Sequence, residues 1–451
     1  MLTVNNPTAG SAVAGVRYTL GSLGLSPVGG QEDAVARVAG VSVKPEDVEF
    51  IRSAAKAIGV SSRFEDVIRT FRTPTYETPA GFRIECNLLV GGLLEVDLVR
   101  DIGYDKNGLR RPTGVIFSAD SANPYEVAPI APLLGNLTCN PGIVYDLFIN
   151  NPAANVGHKF NTLEEVMTEL GNILGPGSDV SVELENPFES DFDKILEEIA
   201  PFEEILSPYR LVVKVPHTGP VNGDNVSQLL NGSKKLDVWY PEPSTEDAFR
   251  SHNLALKLRE RGYRVNYTLM FEPYQTALAL QAKPYFINSF IRHRMKQSEK
   301  VAQLLAFYET TRESVYLKEL RTFLVSTDHL PADGECRDLI EVLHYAQDLV
   351  GYRKWDEAEG ADGLDGVRHN LRMLKQSGLP DTKLIICSME GPQNYPDIDK
   401  LVVDPEFADV IDRLIITAEP SYLARFTSSN QVVSYQRRFM AAAATALTPV
   451  G

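Results

Sequence analysis

The sequence predicts an α/β protein: a (β/α)8 (TIM) barrel with a small α+β extension at its N-terminus and a helical insertion between barrel strands six and seven. Three observations predict it. Eight short apolar runs recur between about Gly114 and Leu423, most of them followed by turn residues and a helix-period segment. Several of these runs are apolar on both faces, as buried parallel strands require. Polar residues able to do chemistry stand at or near the C-terminal ends of the runs, where the loops of a barrel build its mouth. A doubly wound open sheet is the alternative reading of the same alternation.

The runs are residues 115–117, 136–139, 180–184, 211–215, 265–271, 285–287, 384–387 and 414–417. Between them lie amphipathic segments. Thr162-Leu-Glu-Glu165 predicts a capping box, with Leu163, Val166, Met167, Leu170 and Leu174 at helical spacing behind it. Ser244-Thr-Glu-Asp247 opens another helix, which Gly262 closes just before the next strand. Residues 1–110 break the rhythm and are assigned to the extension, residues 111–451 to the barrel. Within the extension, residues 82–90 and 93–99 flank Gly91-Gly92 and predict a hairpin with a two-residue turn. Residues 46–71 read as helices and residues 11–30 as an irregular lead rich in Gly, Ser and Pro. The stretch 295–378 is too long for one barrel helix and predicts several helices around the acidic, Gly-rich loop 355–363.

Composition narrows the function. The 451 residues include 44 basic and 60 acidic side chains, a net charge of -16, so nucleic acid and anionic membrane surfaces are poor partners. An anionic substrate would need local positive charge. The start carries no basic region followed by an apolar run, and no apolar stretch is long enough to span a bilayer. The four cysteines (Cys86, Cys139, Cys336 and Cys387) form no close pair and read as reduced thiols, so a cytoplasmic location is expected. Phosphate-loop, dinucleotide-fingerprint, HExxH and GxSxG motifs are absent from the sequence.

The chemistry centres on Lys214, a lysine inside the apolar run Leu211-Val-Val-Lys-Val215. A buried ammonium must be paired or lose its proton. Desolvation predicts a lowered pKa and a neutral amine able to attack a carbonyl. The plainer reading is a lysine whose stem packs while its head reaches water. Asp120, Asn140, Glu183, Asn266 and Thr268 stand at or near the ends of neighbouring runs. Each alone could cap a helix or satisfy a core polar group, and a turn role suits Asn140 before Pro141. Converging on one barrel mouth, they form a catalytic constellation.

These segments resemble the transaldolase family, in that family's order. Phe117-Ser-Ala-Asp120-Ser-Ala-Asn123 is similar to its first-strand aspartate motif, and Leu137-Thr138-Cys-Asn140-Pro141 to its TxNP signature. Val180-Ser-Val-Glu183 resembles its third-strand glutamate, Val213-Lys214-Val-Pro-His-Thr218 its lysine strand, and Val265-Asn266-Tyr-Thr268-Leu-Met-Phe271 with Gln275 its fifth-strand motif. The likeness covers roughly residues 114–290 and, more weakly, 383–423.

The resemblance implies transfer of a three-carbon dihydroxyacetone unit from a ketose to an aldehyde through a Schiff base on Lys214. Glu183 and Thr268 would hold the proton-shuttling water, and Asp120 would be the base for C–C cleavage. Thr138, Asn140, Asn266, Asn288, Ser289, Phe290, Arg292 and Arg294 would bind substrate, a sugar or sugar phosphate. No cofactor or metal is implied, and a homo-oligomer is left open. Phe290 stands where transaldolases carry phenylalanine and the related fructose 6-phosphate aldolases tyrosine.

The phosphate-binding positions depart from the family pattern. Asn288 stands at the serine position, beside Ser289. His293 stands at the first arginine position, between Arg292 and Arg294, and Glu390 at the second. His217 replaces a small hydroxyl residue. The departures raise the expectation of altered sugar specificity. Two further readings compete: a catalytically inactive barrel that binds or assembles, and a lysine-dependent isomerase or dehydratase.

Overall fold

In the computed structural model, residues 2–4, 18–75, 79–105, 110–207, 209–353, 363–387, 391–424 and 429–446 are described. The chain forms an eight-stranded, all-parallel closed barrel surrounded by helices, as the alternation of apolar runs predicts. Before it, among the described residues, come seven strands: β1 (Leu2–Val4), β2 (Tyr18–Thr19), β3 (Ser26–Pro27), β4 (Ser42–Val43), β5 (Ala57–Val60), β6 (Phe82–Leu89) and β7 (Leu93–Arg100). The barrel strands are β8 (Ile116–Asp120), β9 (Leu134–Thr138), β10 (Asp179–Glu183), β11 (Leu211–Pro216), β12 (Arg264–Thr268), β13 (Phe286–Phe290), β14 (Lys383–Cys387) and β15 (Leu414–Ala418). They pair in chain order, and β15 closes onto β8. Every apolar run of the sequence is a barrel strand, but several end elsewhere than the apolar pattern suggests. Strands β8, β9, β10 and β12 terminate on Asp120, Thr138, Glu183 and Thr268, so the chemistry-bearing residue is the last of each strand.

The barrel interior is layered by polarity. At the N-terminal end Ile116, Val212, Phe286, Ile385 and Ile415 form an apolar floor, joined by Ile102 from the extension. Above it lies a polar layer in which Asn136 donates to Ser118 Oγ (2.9 Å) and Asn266 to Ser181 Oγ (3.0 Å). Residues facing the other way, such as Val213, Val215, Val265, Leu384 and Ile416, pack under the helices in the main core.

The extension is built on a five-stranded sheet of order β1-β6-β7-β5-β3 with its own apolar core. The β6–β7 hairpin is present, but its register runs from Phe82↔Arg100 to Leu89↔Leu93. Its loop is therefore Val90-Gly91-Gly92, three residues rather than two, with φ of +93° and +85° at the two glycines. The stretch 46–71 is also more than helical. Helices Pro45–Ala54 and Ser62–Phe71 flank β5, whose residues Ile58, Gly59 and Val60 are buried beside β7 in parallel. Of the expected irregular lead, residues 18–30 contain β2, a 3-10 turn at Leu20–Leu23 and β3; the rest lies outside the described residues.

The insertion between β13 and β14 contains helices Arg292–Thr311, Ser314–Ser326, Leu339–Arg353 and Leu364–Gln376. The first three enclose a separate apolar cluster around Val301, Leu304, Leu320 and Leu324. The expected acidic loop falls mostly outside the described residues. At helix Leu163–Leu174 only half of the predicted capping box forms. Thr162 Oγ1 accepts from Glu165 N (3.2 Å), but the Glu165 carboxylate takes the amide of Asn161 (2.7 Å), one residue before the cap. No described helix is long and apolar enough to cross a membrane.

Candidate active site

The C-terminal end of the barrel gathers the ionisable side chains through strand alternation. Side chains two apart on a strand share a face. The registers Glu183↔Lys214 and Lys214↔Asn266 place three neighbouring strands side by side with their polar residues facing inward. On the other side, Asp120 is paired with Thr138, after a register shift at Phe117/Ser118. Such a bulge re-aims the residues that follow it.

Lys214 is buried, 5% exposed, and its Nζ lies 2.8 Å from Glu183 Oε2 and 3.3 Å from the carbonyl oxygen of Cys139. This corrects the expectation of a neutral amine. Burial pushes the ammonium's pKa down, but the carboxylates of Glu183 and Asp120 outweigh it and hold the pKa above its ordinary value. The resting lysine is an ammonium in a buried ion pair. Asp120 shows the opposite shift for a carboxyl. Burial raises its pKa to about 6, with Glu419 and Glu183 adding to the rise and Lys214 and Arg292 opposing it.

A cavity of about 280 Å3 opens above these groups. Asp120, Thr138, Asn140, Lys214, Asn288, Phe290 and Arg292 line it, so seven of the twelve predicted site residues meet at one space. Glu183 joins them through Lys214. Asn140 has a structural task as well: its Oδ1 accepts from Ile143 N (2.9 Å) and starts the wide π-helical coil Gly142–Ile149, whose Ile143 and Leu147 form part of the wall. Phe290 packs against Phe271 with ring centroids 4.8 Å apart.

Two predicted residues, Asn266 and Thr268, are buried on β12 without lining the cavity. Asn266 Oδ1 accepts from Asn288 Nδ2 (2.5 Å), and that same Nδ2 lies 2.7 Å from the Tyr267 carbonyl. Asn266 therefore positions Asn288 at the cavity floor and does not itself line the cavity. Thr268 is fully buried beside Pro216 in register, and its Oγ1 has no partner among the described residues.

Two others face away. Ser289 neighbours Asn288 on β13 and so points to the helix layer, where Asn370 Nδ2 donates to its Oγ (3.4 Å). Arg294 is 1% exposed and sits among Glu272, Asp365 and the carbonyl of Arg353, at 3.4 Å from each. Arg292 and Arg294 are two positions apart on one helix, about 200° around its axis at roughly 100° per residue. Arg292 can line the cavity only by turning Arg294 into the protein.

His217 also faces the helix layer. Its ring packs 4.4 Å from that of Tyr267, and burial lowers its pKa to about 4. This departure from the family pattern thus leaves the cavity untouched. Glu390 lies outside the described residues.

The wall residues that the sequence reading did not place at the site include Glu419 and Tyr422. Glu419 follows the last residue of β15, so the rule that found Asp120 at the end of β8 would also have found it. No family model matches the chain.

Proposed function

We propose that the chain is a Schiff-base-forming C–C transferase of the transaldolase type, carrying a dihydroxyacetone unit on Lys214. The observation that carries this reading is the buried Lys214–Glu183 pair at 2.8 Å, below a cavity whose wall includes Asp120. An inert packing lysine would place its head in water.

The pair supplies the amine when it is needed. A ketose entering the cavity removes the remaining water, and Glu183 takes a proton from the Lys214 ammonium. The free amine adds to the carbonyl carbon, and a proton passes from its nitrogen to the former carbonyl oxygen to give a carbinolamine. Glu183 then returns its proton to the carbinolamine hydroxyl, which leaves as water, and the nitrogen lone pair forms the C=N bond of the iminium. Asp120 removes the proton of the substrate hydroxyl beyond the scissile bond. That oxygen becomes the carbonyl of the departing aldehyde, and the electrons of the broken C–C bond neutralise the iminium as an enamine. Addition of the enamine to an acceptor aldehyde and hydrolysis of the new imine reverse these steps. Asn140 and Asn288 would hold substrate hydroxyls in a reactive geometry.

Borohydride reduction in the presence of dihydroxyacetone tests the reading. The expected result is a stable adduct on the peptide containing Lys214, absent in Lys214→Ala. An unmodified peptide, or turnover retained by Lys214→Ala, overturns it. Altered specificity is favoured by one observation: the described cavity wall holds Glu419 and Asp120 against Arg292 and Lys214, and Lys214 is already balanced by Glu183. A phosphate dianion gains little from such a balance. Rates with free sugars equal to or above those with their phosphates are expected.

A further inference from the structure

The junction between the extension and the N-terminal end of the barrel holds a second, larger cavity of about 530 Å3, remote from Lys214. Its wall carries Arg63, Arg100, Arg259, Arg264 and Lys283, against one carboxylate, Asp381. In a chain of net charge -16 this local reversal is unexpected. The nearby acids are largely committed. Asp381 pairs with Arg83 (3.2 Å), and Asp97 with Arg63. Asp179, fully buried, gives one oxygen to Arg100 Nε (3.0 Å) and the other to the hydroxyl of Tyr285 (3.0 Å). The side chain of Arg100 is only 6% exposed, yet its Nη1 has no hydrogen-bond partner among the described residues. Arg259 and Lys283, both exposed at the rim, pair with no described acid.

From this excess we infer that the junction is a binding site for a small polyanion of the phosphate or phosphate-ester class. Cations that outnumber the acids around a partly enclosed space attract an anion, and guanidinium groups match phosphate oxygens in pairs. The electrostatics agree with the geometry: burial and the neighbouring Arg100 lower the pKa of Arg264 and bring that of Arg210 down to about 10, with Asp179 the acid that opposes this in both. The cavity volume lies in the range of small-molecule sites. The aromatic walls of Tyr209 and Tyr263 leave room for an ester with an organic part. Strand β12 begins at this cavity with Arg264 and Val265, and β13 begins directly after Tyr285 of its wall.

Calorimetric titration of the full chain with inorganic pyrophosphate, and separately with ADP, tests the site. Saturable binding of pyrophosphate is expected, weakened at least about tenfold in Arg259→Glu/Lys283→Glu and unchanged in Arg292→Ala, which alters the other cavity. Thermal midpoints should rise with pyrophosphate in the wild type and not in the double variant, as a ligand specific to the folded state requires. Both replaced residues are exposed, so folding is retained, and circular dichroism checks it. ADP binding more tightly than pyrophosphate would assign the aromatic wall to the site; pyrophosphate alone would limit the ligand to compact phosphates. No saturable binding of either probe, or binding indifferent to the double substitution, overturns the inference. Loss in Arg292→Ala instead would move the anion to the catalytic cavity and equally overturn it.

Discussion

Replacing Glu183 by glutamine keeps the shape of the side chain and removes the counter-charge of Lys214. The two groups lie 2.8 Å apart, with side chains 11% and 6% exposed. At that separation the attraction is about 6 kcal/mol for an effective dielectric of about 20. Desolvation of the ammonium takes back much of this, and removing one partner of a buried pair typically costs ~3–5 kcal/mol. The lysine can escape that cost by losing its proton, which provides a test of sign. In the native chain the pKa of Lys214 is raised, so its stabilising contribution is present below the unfolded lysine's pKa and is lost as pH rises through the folded value. In Glu183→Gln burial dominates and drives the pKa below the unfolded value. The unfolded chain then binds more protons, and stability rises with pH up to the unfolded pKa. The deficit of the variant should therefore be on the order of 3–5 kcal/mol near neutrality and shrink steadily toward about pH 10, the ordinary lysine pKa. Urea denaturation of both proteins across that range measures it, and groups common to the two cancel in the difference. A deficit below about 1 kcal/mol, or one that does not shrink, would refute the buried pair. Borohydride trapping should slow by roughly 100-fold or more, as expected for loss of a proton-transferring group.

The geometry sets further outcomes at Asp120, at the two arginines and at Asn288. Cleavage of a ketose donor should show an acidic limb with an apparent pKa of about 6, the raised value of Asp120, and Asp120→Asn should abolish the limb with a loss of roughly 100-fold or more in rate. The same shift has a stability consequence: Asp120 holds its proton more tightly folded than unfolded, so its unfavourable contribution appears as pH rises from about 4 to about 6, and Asp120→Asn should remove that segment of the denaturation profile. Arg294→Met removes a buried cation that pairs with Asp365 and shares Glu272 with Arg353, and should cost ~3 kcal/mol in urea denaturation. Arg292→Ala should instead raise KM with less than about 1 kcal/mol of destabilisation; the reverse pattern would reassign the two arginines. Asn288→Ala strips the donor from Asn266 Oδ1 and the Tyr267 carbonyl and should lower stability by ~1–3 kcal/mol per stranded acceptor, read as a fall in the thermal midpoint.

The barrel was legible because buried parallel strands need continuous apolar runs, and all eight are apolar enough to stand out. Their ends were less so. A run such as Val115-Ile-Phe117 stops where Ser118 begins, yet the strand continues through Ser118 to Asp120 because its inward face meets other polar groups, Asn136 among them. Strand β5 was hidden because Ala57-Ile-Gly-Val60 is four residues long between two helices, and its pairing partner β7 lies some 35 residues on in the sequence. The position of Lys214 was readable from the cost of a charge in an apolar run. Its protonation was not, because that depends on a carboxylate reached through the register of β10 and β11. Ser289 and Arg294 could have been set aside from the sequence. Neighbours on a strand cannot both face the interior, and residues two apart on a helix cannot both face one cavity.

The apolar floor beneath the candidate site is completed by Ile102, a residue that the ribosome delivers before any barrel strand exists. Ile102 shares this cluster with Ile415 on the last strand, so the floor is complete only once the chain has been made as far as Ile415. Contacts this distant in sequence slow folding, and the early segment must wait with its apolar surface unsealed. Removing Ile102 would open this floor, which ties the extension to the barrel through one shared apolar cluster.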